Sequence, residues 1–254
     1  MSGAAPTLSA LVVARNEAAQ LAQCLETLVF ADEIVVVLDR CTDGSSTIAK
    51  QFTDKVMEGA WPIEGDRRNT GLAACNGDWV LEVDADERVP PALAVEARAA
   101  IEGAGPGYFL VPFDNYVGGR LVRYGWGANW GVSAAPRLSS RGVKRWGRQR
   151  IHPSLELAGG RRRLTTPMDH YVDRNISDMI ARLDRYSTAR ARDLRESGEI
   201  GTLAGNLRRI VSRFFKCYVS RKGYREGAYG FLIALMAGLY PILSYLKARL
   251  EDDA

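Results

Sequence analysis

Apolar residues fall in three short blocks along the first ninety positions, and each block ends in polar side chains. Leu8-Ser9-Ala10-Leu11-Val12-Val13-Ala14 leads into Arg15-Asn16-Glu17. Ile34-Val35-Val36-Val37-Leu38 ends at Asp39, followed by Arg40-Cys41-Thr42-Asp43-Gly44-Ser45. Trp79-Val80-Leu81-Glu82-Val83 stops at Asp84-Ala85-Asp86-Glu87. Short, nearly continuous apolar runs bounded by turn residues fit strands buried on both faces, as in a parallel sheet. Between the first two, Leu21, Leu25 and Leu28 recur at helical spacing, with Asn16 as a suitable N-cap. Gly65 to Ala74 reads as a loop entering a short helix before the third strand. This alternation predicts an α/β fold with Asn16 and Glu17, Asp39 and Asp43, and Asp84 and Asp86 along one sheet edge, where open α/β sheets hold ligands.

Further on, Pro90 to about Ile101 reads as a helix stopped by Gly103, Gly105 and Gly107. Tyr108–Phe113 reads as a strand, Asn115–Tyr124 as turn-rich, Trp126–Trp130 as a Gly/aromatic segment and Ala135–Leu138 as a short strand. Helices are expected over Asn175 to about Arg195, with an apolar stripe of Ile176, Met179, Ile180 and Leu183, and over Leu203–Lys216. Gly227–Leu246 has no Asp, Glu, Lys or Arg for twenty residues. Its length suits a membrane span, but Gly230, Gly238, Pro241 and Ser244 moderate its hydrophobicity. Three readings stand: a helix in the membrane interface, a spanning helix, and a helix buried on its own domain.

The charge is unevenly spread. Residues 1–100 carry 8 Lys and Arg against 16 Asp and Glu, a balance of −8, whereas residues 141–225 carry 21 against 8, or +13. The acidic half suits a metal and a nucleotide, and the basic half suits an anionic lipid surface or a phosphorylated acceptor, unless its arginines are only solvated helix faces. Nucleic acid is not expected as a partner, because no helix-turn-helix, zinc or RNA-binding signature is present. Cys24, Cys41, Cys75 and Cys217 fall at no zinc spacing and read as reduced thiols. Reduced thiols point to a cytoplasmic protein, and Met1–Thr7 shows no sign of a secretory signal.

The tetrad Asp84–Glu87 admits two readings. Three carboxylates in four positions repel one another, and hard oxygen donors at a strand end suit Mg²⁺ or Mn²⁺. The plainer alternative is an acidic turn capping the helix that Pro90-Pro91 begins.

The segments LVVARNEA, IVVVLDRCTDGS and GDRRNTGLAACNGDWVLEVDADE, in that order and spacing, resemble family 2 glycosyltransferases over roughly residues 7 to 90. RLSSRG, IHPSLEL and DHYVDRNISDMIARLDRYS look like the lipopolysaccharide-core β-1,4-glucosyltransferase branch. The resemblance implies a GT-A fold: a Rossmann-like, mostly parallel central sheet with helices on both faces, plus a helical C-terminal extension. Domains are expected at 1–172, with a nucleotide-sugar half 1–90 and an acceptor half 91–172, and at 173–254 as a basic extension.

The family's pattern implies roles for particular residues. Ala14, Arg15, Asn16, Glu17 and Asp39 would surround the uridine, with Arg40 and Asp43 nearby. Arg67, Arg68 and Asn69 would line the base or phosphates, although a surface role fits Arg67 as well. Asp84 and Ala85 would meet the ribose. Asp86 would bind the metal directly, with Asp84 sharing it and His170 completing the shell, unless His170 is only structural. Trp126 and Trp130, and also Trp146, would stack on acceptor sugars or else pack in the core.

The implied reaction is an inverting transfer of a hexose, glucose as the branch suggests, from a UDP-sugar to a saccharide or glycolipid acceptor. The protein would then work on the cytoplasmic face of an anionic inner membrane. Inversion calls for a base. Where the lipopolysaccharide branch has Glu after the His of this motif, the chain has Pro153, which leaves Glu156, His152 and Asp169 as candidates. A polyisoprenyl phosphate acceptor, already anionic, needs no base and is the alternative.

Overall fold

The computed structural model describes residues 5–127, 130–148 and 154–251. The chain forms two compact units. One comprises the chain up to Phe113 together with Ala134–His170, and the other Asp114–Ser133 together with the chain from Tyr171 onward.

In the first unit, β1 (Leu8–Ala14), β2 (Glu33–Asp39), β3 (Val56–Gly59) and β4 (Trp79–Asp84) are parallel and lie side by side in the order β3-β2-β1-β4. The helices α1 (Ala18–Glu26), α2 (Ser45–Ala49) and α3 (Glu64–Ala74) connect them. β5 (Glu87–Arg88) and α4 (Pro91–Ile101) follow. The sheet then turns mixed: β8 (Ala134–Ser140) runs antiparallel to both β4 and β6 (Gly107–Val117). β11 (Gly160–Arg163) pairs with β6, and β12 (Met168–Asp173) pairs with β5. β9 (Lys144–Trp146) and β10 (Leu155–Leu157) form a separate ribbon. The expected mostly parallel α/β fold is therefore present.

Alternation along β1 explains the two covered faces of the sheet. Leu8, Ala10, Val12 and Ala14 join Leu21, Leu25 and Leu93 in one core, whereas Leu11 and Val13 join Val35, Val37 and Val80 in another. Gly71 lets α3 lie close on the second face, since a Cβ there would come within 2.5 Å of Leu11. Glu96 ties α4 to the turn before β12, accepting from the Thr165 and Thr166 amides, each at 2.7 Å. Burial alone would raise its pKa, but these bonds outweigh it and lower the carboxyl from 4.5 to about 2. Such a group adds stability above its unfolded pKa and loses it as pH falls toward the folded one. Stability should therefore decline between about pH 4.5 and 2, and Glu96→Gln should flatten that decline in urea midpoints measured against pH.

The second unit contains β7 (Arg120–Val122), α5 (Ile176–Ser197), α6 (Leu203–Phe215) and α7 (Ala228–Leu250). Asn175 caps α5 by accepting from the Asp178 amide, and Thr202 caps α6 through the Gly205 amide. The uncharged run forms most of α7, which packs against α5 and α6. Gly230, Ile233, Ala234, Ala237, Gly238 and Tyr240 are among its buried residues.

Candidate active site

The register of the sheet assembles the site. Ala14 of β1 pairs with Leu38 of β2, and Val13 pairs with Asp84 of β4, so the three polar strand ends share one edge. Asn16 follows β1 in the left-handed region, with φ 55°. The N-cap position of α1 belongs to Glu17, not Asn16 as expected, and no side chain caps it. The Asn16 side-chain oxygen Oδ1 instead accepts from the Thr42 amide at 2.8 Å. The Asp43 carboxylate accepts from the Ala18 and Ser45 amides, both at 3.0 Å, and so staples the loops after β1 and β2 together. Arg15 stays exposed beside them.

Asp39 is buried at the end of β2. It accepts from Arg40 Nε and Nη2, both at 2.9 Å, from the Trp61 amide at 3.0 Å and from Arg67 Nη1 at 3.2 Å. Burial opposes its ionisation, but the Arg40, Trp61 and Arg67 donors outweigh it and hold the carboxyl below its ordinary range. Asn69 has a positional job: its amide donates to Trp146 O at 2.8 Å and its oxygen accepts from Trp146 N at 2.9 Å. Gly65 permits this approach, because a Cβ there would lie 1.8 Å from Gly147 O. The ribbon β9-β10 is thereby held against α3.

Below this edge lies a largely buried network of four acids and three bases. Glu82 pairs with Lys144 and accepts from the Trp146 indole at 3.0 Å. Arg68 meets Asp84 at 3.0 Å and Glu64 at 3.0 Å, and its guanidinium lies 4.9 Å from the centre of the Trp146 ring. Arg137 bridges Asp84 and Glu87 through one nitrogen. Burial works against the charge on Asp84, yet Arg137 and Arg68 together hold its carboxyl far below the ordinary range. Glu87 goes the other way: burial, aided by Asp84 and Asp86, raises its pKa despite the pull of Arg137. One arginine shared by two buried carboxyls favours the charge on the better-placed one.

The tetrad itself forms a turn with Asp86 at its tip, while Ala85 is buried and its carbonyl accepts from Arg88 at 2.8 Å. The capping alternative fails, because α4 begins at Pro91 behind Pro90 and carries no side-chain cap. Glu87 points inward and accepts from the Asp84 amide at 2.9 Å. His170 lies opposite Glu87 in the β12–β5 pair, with Nε2 3.5 Å from Asp86 Oδ2. Burial would lower the imidazole pKa, but Asp86 and then Glu87 raise it overall. Donor atoms of Asp86, Glu87 and His170 lie within 4.8 Å of one another. Two carboxyls and an imidazole suit a divalent cation, whose charge would offset the burial and the neighbouring carboxylates that raise Glu87. Of the expected ligands, Asp86 and His170 come together, whereas Asp84 is occupied by two guanidinium groups.

Other expected residues are more dispersed. Lys144 and Trp146 turn toward Glu82, so strand alternation turns Arg145 and its partner Glu156 to the other face of the ribbon, where Glu156 is exposed. Asp169 sits beside His170 in β12, opposite Arg88. His152 lies outside the described residues. Trp126 and Trp130 offer no open face to a sugar: they are 2% and 0% exposed in the core of the second unit, where the Arg182 guanidinium lies 4.2 Å from the Trp130 ring centre. Sequence reasoning missed Arg137, Lys144 and Glu82. The one available signal was Glu82, a charge inside an apolar strand that demands buried partners.

Residues 9–215 match the family model for glycosyl transferase family 2. The chain belongs to this family. Its α/β sheet is the GT-A fold. The chain is similar to the lipopolysaccharide core biosynthesis glycosyltransferase LpsC of Rhizobium meliloti (strain 1021), with 27% identity over 255 residues, 94% of this chain and 91% of that protein. It is also similar to an uncharacterized glycosyltransferase of Rickettsia felis, with 23% identity over 95% of this chain and 89% of that protein. Among solved structures it resembles glucosyl-3-phosphoglycerate synthase from Mycobacterium tuberculosis in complex with Mn²⁺, uridine diphosphate and glucosyl-3-phosphoglycerate. That match has 26% identity and a TM-score of 0.37, and covers 44% of this chain and 45% of the synthase. TarS of S. aureus in complex with UDP-GlcNAc is 16% identical with a TM-score of 0.47, over 74% of this chain and 66% of that one.

Proposed function

We propose that this glycosyltransferase moves a hexose, glucose as the working assignment, from a UDP-sugar to a saccharide of a lipopolysaccharide core, with inversion and with Mg²⁺ or Mn²⁺. The observation that carries this reading is the pair Asp86 and His170, 3.5 Å apart just beyond the end of β4, on the sheet edge where Asp39 also ends β2 of a family 2 sheet. The similarity to LpsC along nearly the whole chain supports the acceptor class.

In this reading Asp39, fixed by Arg40, Trp61 and Arg67, accepts from the uracil N–H. The segment Ala14–Glu17, with Asp43 as its staple, wraps the nucleoside, and Asp84 and Ala85 lie at the ribose. Asp86 and His170 would hold the divalent cation, with Glu87 behind them. Bound there, the cation would neutralise negative charge growing on the leaving diphosphate. Arg68 and Arg137 keep Asp84 ionised and in place.

The acceptor hydroxyl attacks the anomeric carbon as the bond to the diphosphate breaks, and its proton passes to a base. Glu156, Asp169 and His152 are the candidates. If Glu156 takes the proton, Glu156→Gln should lower turnover by about a hundredfold and leave UDP affinity unchanged. Unchanged turnover would pass the role to Asp169 or His152. Full activity in all three single variants would favour a phosphate acceptor that needs no base. The acceptor class puts the enzyme at the cytoplasmic face of the inner membrane. Measuring UDP release across a panel of nucleotide sugars with lipopolysaccharide core acceptors tests the reading, and turnover with none of them would overturn it.

A further inference from the structure

α6 is amphipathic but turned outward. Leu203, Leu207, Val211 and Phe215 recur every four residues along one stripe, and Val219 extends it into the π-helical segment Lys216–Ser220. Each of these five side chains is between 48% and 58% exposed. The only fully buried residue of α6 is polar, Asn206. A helix that met only water would gain by turning this stripe toward α7, so the stripe calls for a partner.

Two further observations identify the partner. From Leu203 to Arg225 there are seven Lys and Arg (Arg208, Arg209, Arg213, Lys216, Arg221, Lys222 and Arg225) and no Asp or Glu. Aromatic rings also gather where α6 meets the start of α7. Phe214 stacks on Tyr218 at 5.4 Å and meets Phe231 edge-on at 5.5 Å, while Phe215, Tyr224 and Phe231 are each at least half exposed. A bare apolar stripe would fit a second copy of the chain, but seven cations on a segment without a single acidic residue would repel their own kind. Amphipathic aromatics and cations beside an apolar stripe match the headgroup region of a bilayer.

We propose that the outward face of α6, with the π-helical segment after it, docks the protein on an anionic bilayer surface. The stripe inserts shallowly, and Arg208, Lys216 and Lys222 lie among the headgroups. The helix that meets lipid is therefore α6, whereas the more apolar α7 is its support. This deepens the membrane placement made under the proposed function. It is tested without donor or acceptor, so it can fail while the sugar-transfer reading stands.

The test is sedimentation of the full-length protein with vesicles of phosphatidylcholine alone or mixed with phosphatidylglycerol. Binding to the mixed vesicles is expected at low salt. It should fall sharply at high salt, as the Debye length drops from about 10 Å at 0.1 M to about 3 Å at 1 M. Leu207→Gln with Phe215→Gln, and separately Arg208→Glu with Lys216→Glu, should each weaken partition by at least about tenfold. All four positions are exposed, so circular dichroism and thermal midpoints should stay as in the parent protein, which separates lost docking from lost folding. Parent protein that ignores anionic vesicles, or stripe variants that bind as well as it does, would overturn the proposal. A dimer in light scattering that the Gln variants abolish, without vesicle binding, would overturn it in favour of a second copy.

Discussion

Replacing Asp86 with Ala is expected to lower turnover by about a hundredfold to a thousandfold, the scale of losing one main electrostatic stabiliser of a developing charge. The physical reason is local. Asp86 is at the tip of its turn, with a side chain one-third exposed, and faces the His170 imidazole at 3.5 Å. Asp84 is already engaged by Arg68 and Arg137, and Glu87 alone, itself paired with Arg137, would be left beside His170. The variant should stay folded, because Asp86 carries no part of the buried network. Loss of activity should come with loss of the gain in UDP affinity given by Mn²⁺. A variant that keeps that gain would move the cation to other residues.

Replacing Arg137 with Leu is expected to destabilise the protein by about 3–5 kcal/mol, because it leaves the buried Glu87 without its guanidinium partner and Asp84 with Arg68 alone. The thermal midpoint should then fall by on the order of 10 °C. Arg137→Lys should recover only part of the loss, since a single ammonium lacks the planar fork that lies 5.6 Å from the Phe113 ring centre while reaching both acids. Unfolding curves that match the parent protein within about 0.5 kcal/mol would show that the network contributes little.

These two residues mark how far the sequence could be read. Asp86 was legible because it follows a continuous apolar strand, and β1, β2 and β4 were legible for the same reason. The shared polar ends of these strands follow from the apolar runs and the helical spacing in the intervening segments, whereas the strand order does not. Arg137 was not legible, since its partners lie 50 and 53 residues away and nothing local marks them. β9 and β10 have three residues each, too few to show a period, so the ribbon that fixes Trp146 was missed. Trp126 and Trp130 illustrate a different limit: composition reveals an aromatic segment but not which way its rings turn. The same limit applies to α6 and α7. The uncharged run of α7 draws attention as a membrane element, yet over its most apolar stretch 56% of it is buried in the structure. Periodicity shows that α6 has an apolar face, and only packing shows that this face looks outward.

Metal-dependent uridine binding is the decisive measurement for the active site. In calorimetric titrations, UDP should bind the parent protein about tenfold or more tightly with Mn²⁺ than with chelator, and Asp86→Ala should show the weaker value in both conditions. UDP that fails to bind, or binds the parent protein equally well with metal and with chelator, would contradict the placement of a UDP-sugar and its cation at the ends of β1, β2 and β4.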